Sequence, residues 1–103
     1  MRTIKEWLEQ NSVFGLVLPD GYFGRPHDNR HEMTWLAERD NKLIIELDNQ
    51  IYLILTKPVS CSTKGRDLIF SSFPQLVFDR QGYGDMKPDC VVYKSGEVKL
   101  VAL

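Results

Sequence analysis

Apolar residues recur at every second position on both sides of the turn sequence Asp48-Asn49-Gln50, and this pattern limits the fold more than any other. The residues concerned are Leu43, Ile45 and Leu47 before the turn and Ile51, Leu53 and Leu55 after it. A period of two is typical of β-strands, because successive side chains point to opposite faces. A three-residue connection pairs Leu47 with Ile51 and places all six side chains on one face, whereas a two-residue turn scatters them. A slip of one residue turns every side chain over, so we expect the three-residue register.

The same period recurs along most of the chain after residue 12. Strands are predicted at residues 13–18, 33–38, 43–48, 51–56, 67–71, 75–79, 90–94 and 97–103. Turn sequences such as Asp40-Asn41 and Ser95-Gly96 separate them. A parallel sheet needs long crossover connections, which the pattern lacks. We therefore expect a mainly β fold (α+β with one short N-terminal helix), either a bent antiparallel sheet or a partly open small barrel of about six to eight strands.

The N-terminal segment has helical rather than strand periodicity. Thr3 and Glu6 have the spacing of a capping box, and Asn11-Ser12 favours an end to the helix. The predicted helix covers about residues 3–11, and its apolar stripe consists of Ile4, Trp7 and Leu8. So short a helix is marginal alone, and we expect it to pack against the sheet.

Each side of the predicted meander has its own composition. A turn at Asp40-Asn41 adds Met33, Trp35 and Ala37 to the apolar side. The opposite side holds Thr34, Leu36, Glu38, Ile44, Glu46, Tyr52, Ile54 and Thr56. This second side is too apolar to stand wholly in water, and we expect the helix to cover part of it, with a second subunit as the alternative. If the C-terminal strand is an edge, its free amides offer another route to a dimer.

Overall composition indicates one globular domain over residues 1–103 and excludes some partners. The net charge of −1 gives no positive field to attract nucleic acid or an anionic membrane. Apolar runs are far shorter than the ~18 residues that a membrane span needs. The charged N-terminus does not resemble a signal peptide, so we expect a cytoplasmic protein, in which Cys61 and Cys90 remain free thiols.

The segment Pro19–His31 is the longest polar stretch, and it contains both histidines of the chain. Long loops on a rigid scaffold commonly carry function, because the scaffold residues are committed to packing. A second glycine-flanked aromatic, Tyr83, lies in the loop 82–88. We expect the two loops to form an aromatic binding surface if the sheet brings them together. The candidate binding residues are Tyr22, Phe23, Arg25, His27, Asp28, Arg30, His31 and Tyr83.

The same segment does not contain a recognisable catalytic or metal motif. His27 and His31 have a four-residue spacing with Asp28 beside the first histidine, but Pro26 before them and the strand pattern after them disfavour the helix of a zincin motif. In an extended chain they lie about 13 Å apart, too far to share an ion. The simplest interpretation is a hydrogen-bonded turn in which Asp28 or Asn29 makes a local Asx-type contact. We expect no metal and no cofactor, and a nucleophile elbow Gly-x-Ser-x-Gly is absent.

These observations favour a small intracellular, non-catalytic binding domain whose contact surface is the Pro19–His31 loop. Its partner is expected to be another protein or a small ligand. One alternative is a ligand-binding or hydrolytic barrel in which His27 or His31 acts as the acid–base group, since histidine titrates near neutral pH. A second alternative is a structural homodimer that associates through the Leu36, Ile44 and Ile54 face or through the terminal strand.

Overall fold

The computed structural model describes residues 2–22, 29–82 and 88–103, without the side chain of Tyr22. Within these ranges the chain forms one helix and ten strands, so the prediction of a mainly antiparallel β fold with a short N-terminal helix is confirmed. The elements are α1 (Arg2–Gln10), β1 (Phe14–Leu18), β2 (Gly21–Tyr22), β3 (Met33–Arg39), β4 (Lys42–Leu47), β5 (Ile51–Thr56), β6 (Ser60–Lys64), β7 (Asp67–Ser71), β8 (Gln75–Arg80), β9 (Asp89–Tyr93) and β10 (Val98–Ala102).

The strands form two sheets rather than one bent sheet, and these do not close into a barrel. The first sheet has the order β2-β1-β10-β7-β6, and the second has the order β3-β4-β5-β8-β9. Every strand pair is antiparallel. The chain passes from one sheet to the other four times, and the apolar inner faces of both sheets contribute to one buried cluster.

The predicted register of the central hairpin is confirmed. Leu47 pairs with Ile51, and the pairing continues two residues at a time along both strands. Asp48 and Asn49 adopt φ angles of 55° and 58° in the connection. Aspartate and asparagine tolerate this left-handed conformation better than most residues, so the local sequence supports the register that the apolar pattern requires.

Strand β3 differs from the prediction on one point. Met33 packs against the core as expected, but an irregularity in the pairing between Met33 and Trp35 shifts the rest of the strand. Trp35 and Ala37 therefore lie on the outward side of the sheet, and the expectation that they share the apolar face is wrong. Leu36 packs against the core in their place. A bulge of this kind inserts one residue and reverses the side-chain alternation beyond it.

The helix packs against the core and not on the outward side of the second sheet, so that expectation is also wrong. Ile4 and Trp7 belong to the buried cluster, and the Trp7 ring lies 5.7 Å from that of Phe14. Trp7 Nε1 also donates to the carbonyl oxygen of Arg66, 3.0 Å away. Strands β6 and β3 are the edges of their sheets on this side, and the helix covers core that would otherwise meet water. Asn11 Nδ2 caps its end by donating to the Trp7 carbonyl.

Two further strands were not predicted, and a third occupies an unexpected position. β2 has only two residues, and β6 is a polar edge strand that lies between two of the predicted strands, at residues 51–56 and 67–71. β10 lies between β1 and β7, so its amides are not available for pairing with another subunit. The nine-residue α1 is too short and polar to span a bilayer, and the described ranges contain no other helix.

Candidate functional site

The end of the Pro19–His31 segment is bonded to the outer edge of β1 by a buried amide. Asn29 Oδ1 accepts from the Leu16 N–H at 3.0 Å, and Asn29 Nδ2 donates to the Leu16 carbonyl at 2.8 Å. The side chain thus takes the place of a paired strand residue, and Asn29 is only 3% exposed. Gly15 gives it room, since a Cβ there would lie 3.3 Å from the Asn29 carbonyl oxygen.

His31 continues this attachment through both its backbone and its ring. Its N–H and carbonyl pair with Phe14 at 2.8 and 3.0 Å. Its ring Nε2 lies 2.9 Å from Asn29 Oδ1, and its Nδ1 lies 2.6 Å from Asp48 Oδ2. The Asn29 amide orientation is set by Leu16, so both ring nitrogens face oxygen atoms. The ring is therefore held between an amide oxygen and a carboxylate oxygen, with both of its nitrogens at hydrogen-bond distance from a partner.

Asp48 brings the second sheet to the same point. It lies in the β4–β5 turn, where its Oδ1 accepts from the Glu32 N–H at 2.9 Å and its own N–H donates to the Glu32 carbonyl at 3.0 Å. A continuous set of hydrogen bonds therefore runs from Leu16 in the first sheet, through Asn29 and His31, to the turn of the second. The end of the segment is held on both sheets.

The beginning of the segment is fixed by a second set of contacts. Asp20 accepts from the Tyr93 hydroxyl at 3.0 Å. Burial, together with this hydrogen bond and the charge of Asp20, raises the pKa of Tyr93 to about 12. Pro19 lies so close to Gly96 that a Cβ at Gly96 would stand 2.7 Å from the Cβ of Pro19. Gly96 also has a φ of 113°, which side chains rarely allow.

The two described flanks of residues 23–28 lie at neighbouring positions of one edge. Tyr22 pairs with Val17, and Asn29 binds the next residue, Leu16. Of the predicted binding residues, Arg30 is exposed and His31 is buried. Outside the described residues lie Phe23, Arg25, His27, Asp28 and Tyr83, as does the side chain of Tyr22. The convergence of the two aromatic loops therefore stays a prediction.

A shallow depression of about 230 Å³ lies over the buried histidine. It is lined by Val13, Arg30, His31, Glu32 and Asp48. Arg30 and Glu32 are exposed and offer one positive and one negative group at its rim. This surface suits salt-bridging to a partner, because the charged groups are on the outside and the titratable ring beneath is already hydrogen-bonded.

The thiols and carboxylates elsewhere offer little for catalysis within the described ranges. Cys61 lies in a separate cleft beside Ile4, and burial raises the pKa of its thiol, which disfavours the nucleophilic thiolate. Cys90 is an exposed free thiol. No group of three metal-ligating side chains occurs among the residues that the structure describes.

Sequence reasoning did not identify Asp48 as a partner of His31, and it assigned Asn29 a local turn contact. The actual partner of Asn29 is 13 residues away, and that of the His31 ring is 17 residues away. No local pattern reports contacts at such separations. A comparison of the chain with known protein families, with curated proteins and with solved structures finds no match.

Proposed function

We propose that this protein is a non-catalytic binding domain whose contact surface is the Pro19–His31 segment. The observation that carries the proposal is the attachment of both ends of the segment to the scaffold. Asp20 is bonded at one end, and Asn29 and His31 are bonded at the other. A loop held in this way loses less conformational entropy on binding than a free one, which favours affinity.

The depression over His31 supports a protein partner more than a small ligand. Its volume of about 230 Å³ lies below the range of roughly 300–1,000 Å³ that is usual for ligand pockets. Arg30 stands exposed at its rim, and arginine is enriched at the centres of protein interfaces. Residues 23–28 add Phe23 and Arg25 to the same segment.

A second candidate function rests on one specific observation. His31 Nδ1 lies 2.6 Å from Asp48 Oδ2, which is the arrangement that orients a general base in hydrolases. A general base needs its other nitrogen directed at the reacting group. Here that nitrogen faces Asn29 Oδ1 at 2.9 Å. The hydrolytic alternative therefore requires Asn29 to release His31, and this argues for binding over catalysis.

The proposal is tested by replacing aromatic and basic residues of the segment. In one variant Tyr22, Arg25 and Arg30 are changed to alanine, and in a control variant Lys5 and Lys64, both exposed on other surfaces, are changed to alanine. Each protein is immobilised and the proteins captured from a cell lysate are quantified. We expect the loop variant to fold but to lose the proteins that wild type and control capture. Equal capture by both variants contradicts the proposal, and a loop variant that fails to fold shows that the segment is structural.

A further inference from the structure

The outward side of the second sheet, here called the outer face, has an apolar row across all five strands. Neighbouring strands place these residues in register, and none of them reaches the core. The row consists of Ala37, Ile44, Ile54, Val77 and Val92. Val92 is 50% exposed and the others are half-buried. A continuous apolar row on a sheet surface marks a site of association.

Charged rows of opposite sign lie on either side of this apolar row. On one side stand Arg39, Lys42 and Lys94, the last of which donates to Gln75 at 2.7 Å. On the other side stand Glu46 and Asp79, which face outward from β4 and β8. The outer face is therefore basic along one border and acidic along the other.

The borders are reinforced by local contacts. The guanidinium of Arg39 lies 5.7 Å from the ring of Trp35, which is 41% exposed beside Glu46, so the charge of the basic border comes from Lys42 and Lys94. Hydrogen bonds from Tyr52 and Thr34 lower the pKa of Glu46, so its carboxylate stays ionised. The acidic border thus carries charge at neutral pH.

We propose that the outer face binds the outer face of a second copy of this chain, through a two-fold axis that runs along the apolar row. Rotation about this axis lays the apolar rows on each other and exchanges the two borders. Lys42 of each copy then lies opposite Glu46 of the other. An axis parallel to the strands through β5 would instead oppose Glu46 with Asp79, acid against acid. Opposite charges face each other only with the axis along the apolar row, and this favours a second copy of the chain bound in that orientation.

The size of the face indicates how tight this association is. Five strands at ~4.8 Å and six residues at ~3.3 Å give a flat footprint of about 24 by 20 Å, or about 480 Å² per copy. Standard stable interfaces bury ~800 Å² per partner. The dimer is therefore reversible and depends on protein concentration. The outer face contains no residue of the Pro19–His31 segment, so the variants that test one proposal leave the residues of the other unchanged.

The test is sedimentation of the full chain and its variants from ~10 µM to ~1 mM, the range in which weak association is populated. In Lys42→Glu both symmetric contacts oppose two carboxylates, and in Glu46→Lys both oppose two ammonium groups. We expect each variant alone to weaken the dimer about tenfold or more. An equimolar mixture of the two variants restores both opposite-charge pairs and should recover the wild-type affinity. Lys5→Glu on α1 makes the same charge change away from the face and should leave the dimer unchanged.

Three results overturn the proposal. The first is a wild-type protein that remains monomeric throughout this concentration range. The second is a dimer that Lys42→Glu weakens no more than Lys5→Glu does. The third is a mixture of the two variants that dimerises no better than either alone. Glu46 accepts a hydrogen bond from Thr34, so thermal unfolding of Glu46→Lys is measured first. If that variant does not fold, Asp79→Lys replaces it: in the proposed dimer Asp79 faces Gln75 of the other copy, to which Lys94 donates, so this variant alone should also weaken the dimer.

Discussion

Replacing Asn29 by alanine tests the attachment of the loop to the scaffold. The substitution removes both hydrogen bonds to the Leu16 backbone and the one to His31 Nε2. Leu16 is completely buried, so its N–H and carbonyl lose their partners in the interior. A buried polar group without a partner costs roughly 1–3 kcal/mol, which gives about 2–6 kcal/mol for the two groups. A water molecule in the vacated space recovers part of this, and we expect a loss of about 3 kcal/mol.

The free energy of unfolding is measured by urea titration with tryptophan fluorescence. Trp7 is buried against Phe14, beside the Asn29 site, and its emission therefore reports on unfolding there. A domain of this size has about 5–15 kcal/mol of stability, so a loss of about 3 kcal/mol is a large and measurable fraction. The matched control is Arg30→Ala, one residue away and exposed, which should change stability by no more than about 0.5 kcal/mol.

Amide hydrogen exchange gives an independent measure of the same contact. The Leu16 N–H donates to Asn29 Oδ1 in the wild type, and in Asn29→Ala it should exchange faster than the paired amides of β5. A loss of less than about 1 kcal/mol in Asn29→Ala, with the Leu16 amide still protected, would refute the reasoning. The loop would then be held by contacts other than this amide.

Three further comparisons of variants test other parts of the structure. Gly96→Ala should lower the free energy of unfolding by about 3 kcal/mol or more, and Gly65→Ala by about 1 kcal/mol. Both glycines have a positive φ, but only at Gly96 would a Cβ clash with a neighbour. Equal losses of stability in urea titrations would contradict this. The pKa of Tyr93 is raised from 10.0 to about 12 in the folded protein. The contribution of the protonated hydroxyl to the free energy of unfolding is therefore complete below pH 10 and is lost as the pH rises toward 12. The stability advantage of wild type over Tyr93→Phe should shrink over that interval, and an advantage that grows would be inconsistent with the assigned hydrogen bond. Leu36→Ala should lower stability more than Trp35→Ala does, because only Leu36 packs on the core. A larger loss in Trp35→Ala would mean that Trp35 faces the core, as a β3 strand without a bulge would require.

The strands and the central register could be predicted because local chemistry and burial agree there. The six alternating apolar residues of β4 and β5 have one register that buries them together, and Asp48 and Asn49 supply the backbone conformation of the connecting turn. Where both requirements point to one pairing, a sequence contains enough information to specify it.

The missed features depend on information that is not local. β6 is an edge strand in which only Cys61 packs against the core, so it has no apolar alternation to detect. The bulge after Met33 reverses the side chains of β3, although Trp35 and Ala37 continue the apolar period in sequence. Asn29 and Asp48 resemble ordinary turn residues, and their roles emerge only when the two sheets bring β1 and the β4–β5 turn to His31.

The central claim is that His31 is a structural group that holds the end of the Pro19–His31 segment on both sheets, and NMR of its ring nitrogens tests this. Ring N–H protons of His31 should be visible and in slow exchange with water, because the ring is buried and its nitrogens lie within hydrogen-bond distance of Asn29 Oδ1 and Asp48 Oδ2. Solvent-facing imidazole protons exchange too fast to be observed. Ring protons of His31 that exchange rapidly with water would contradict this claim and favour an acid–base role.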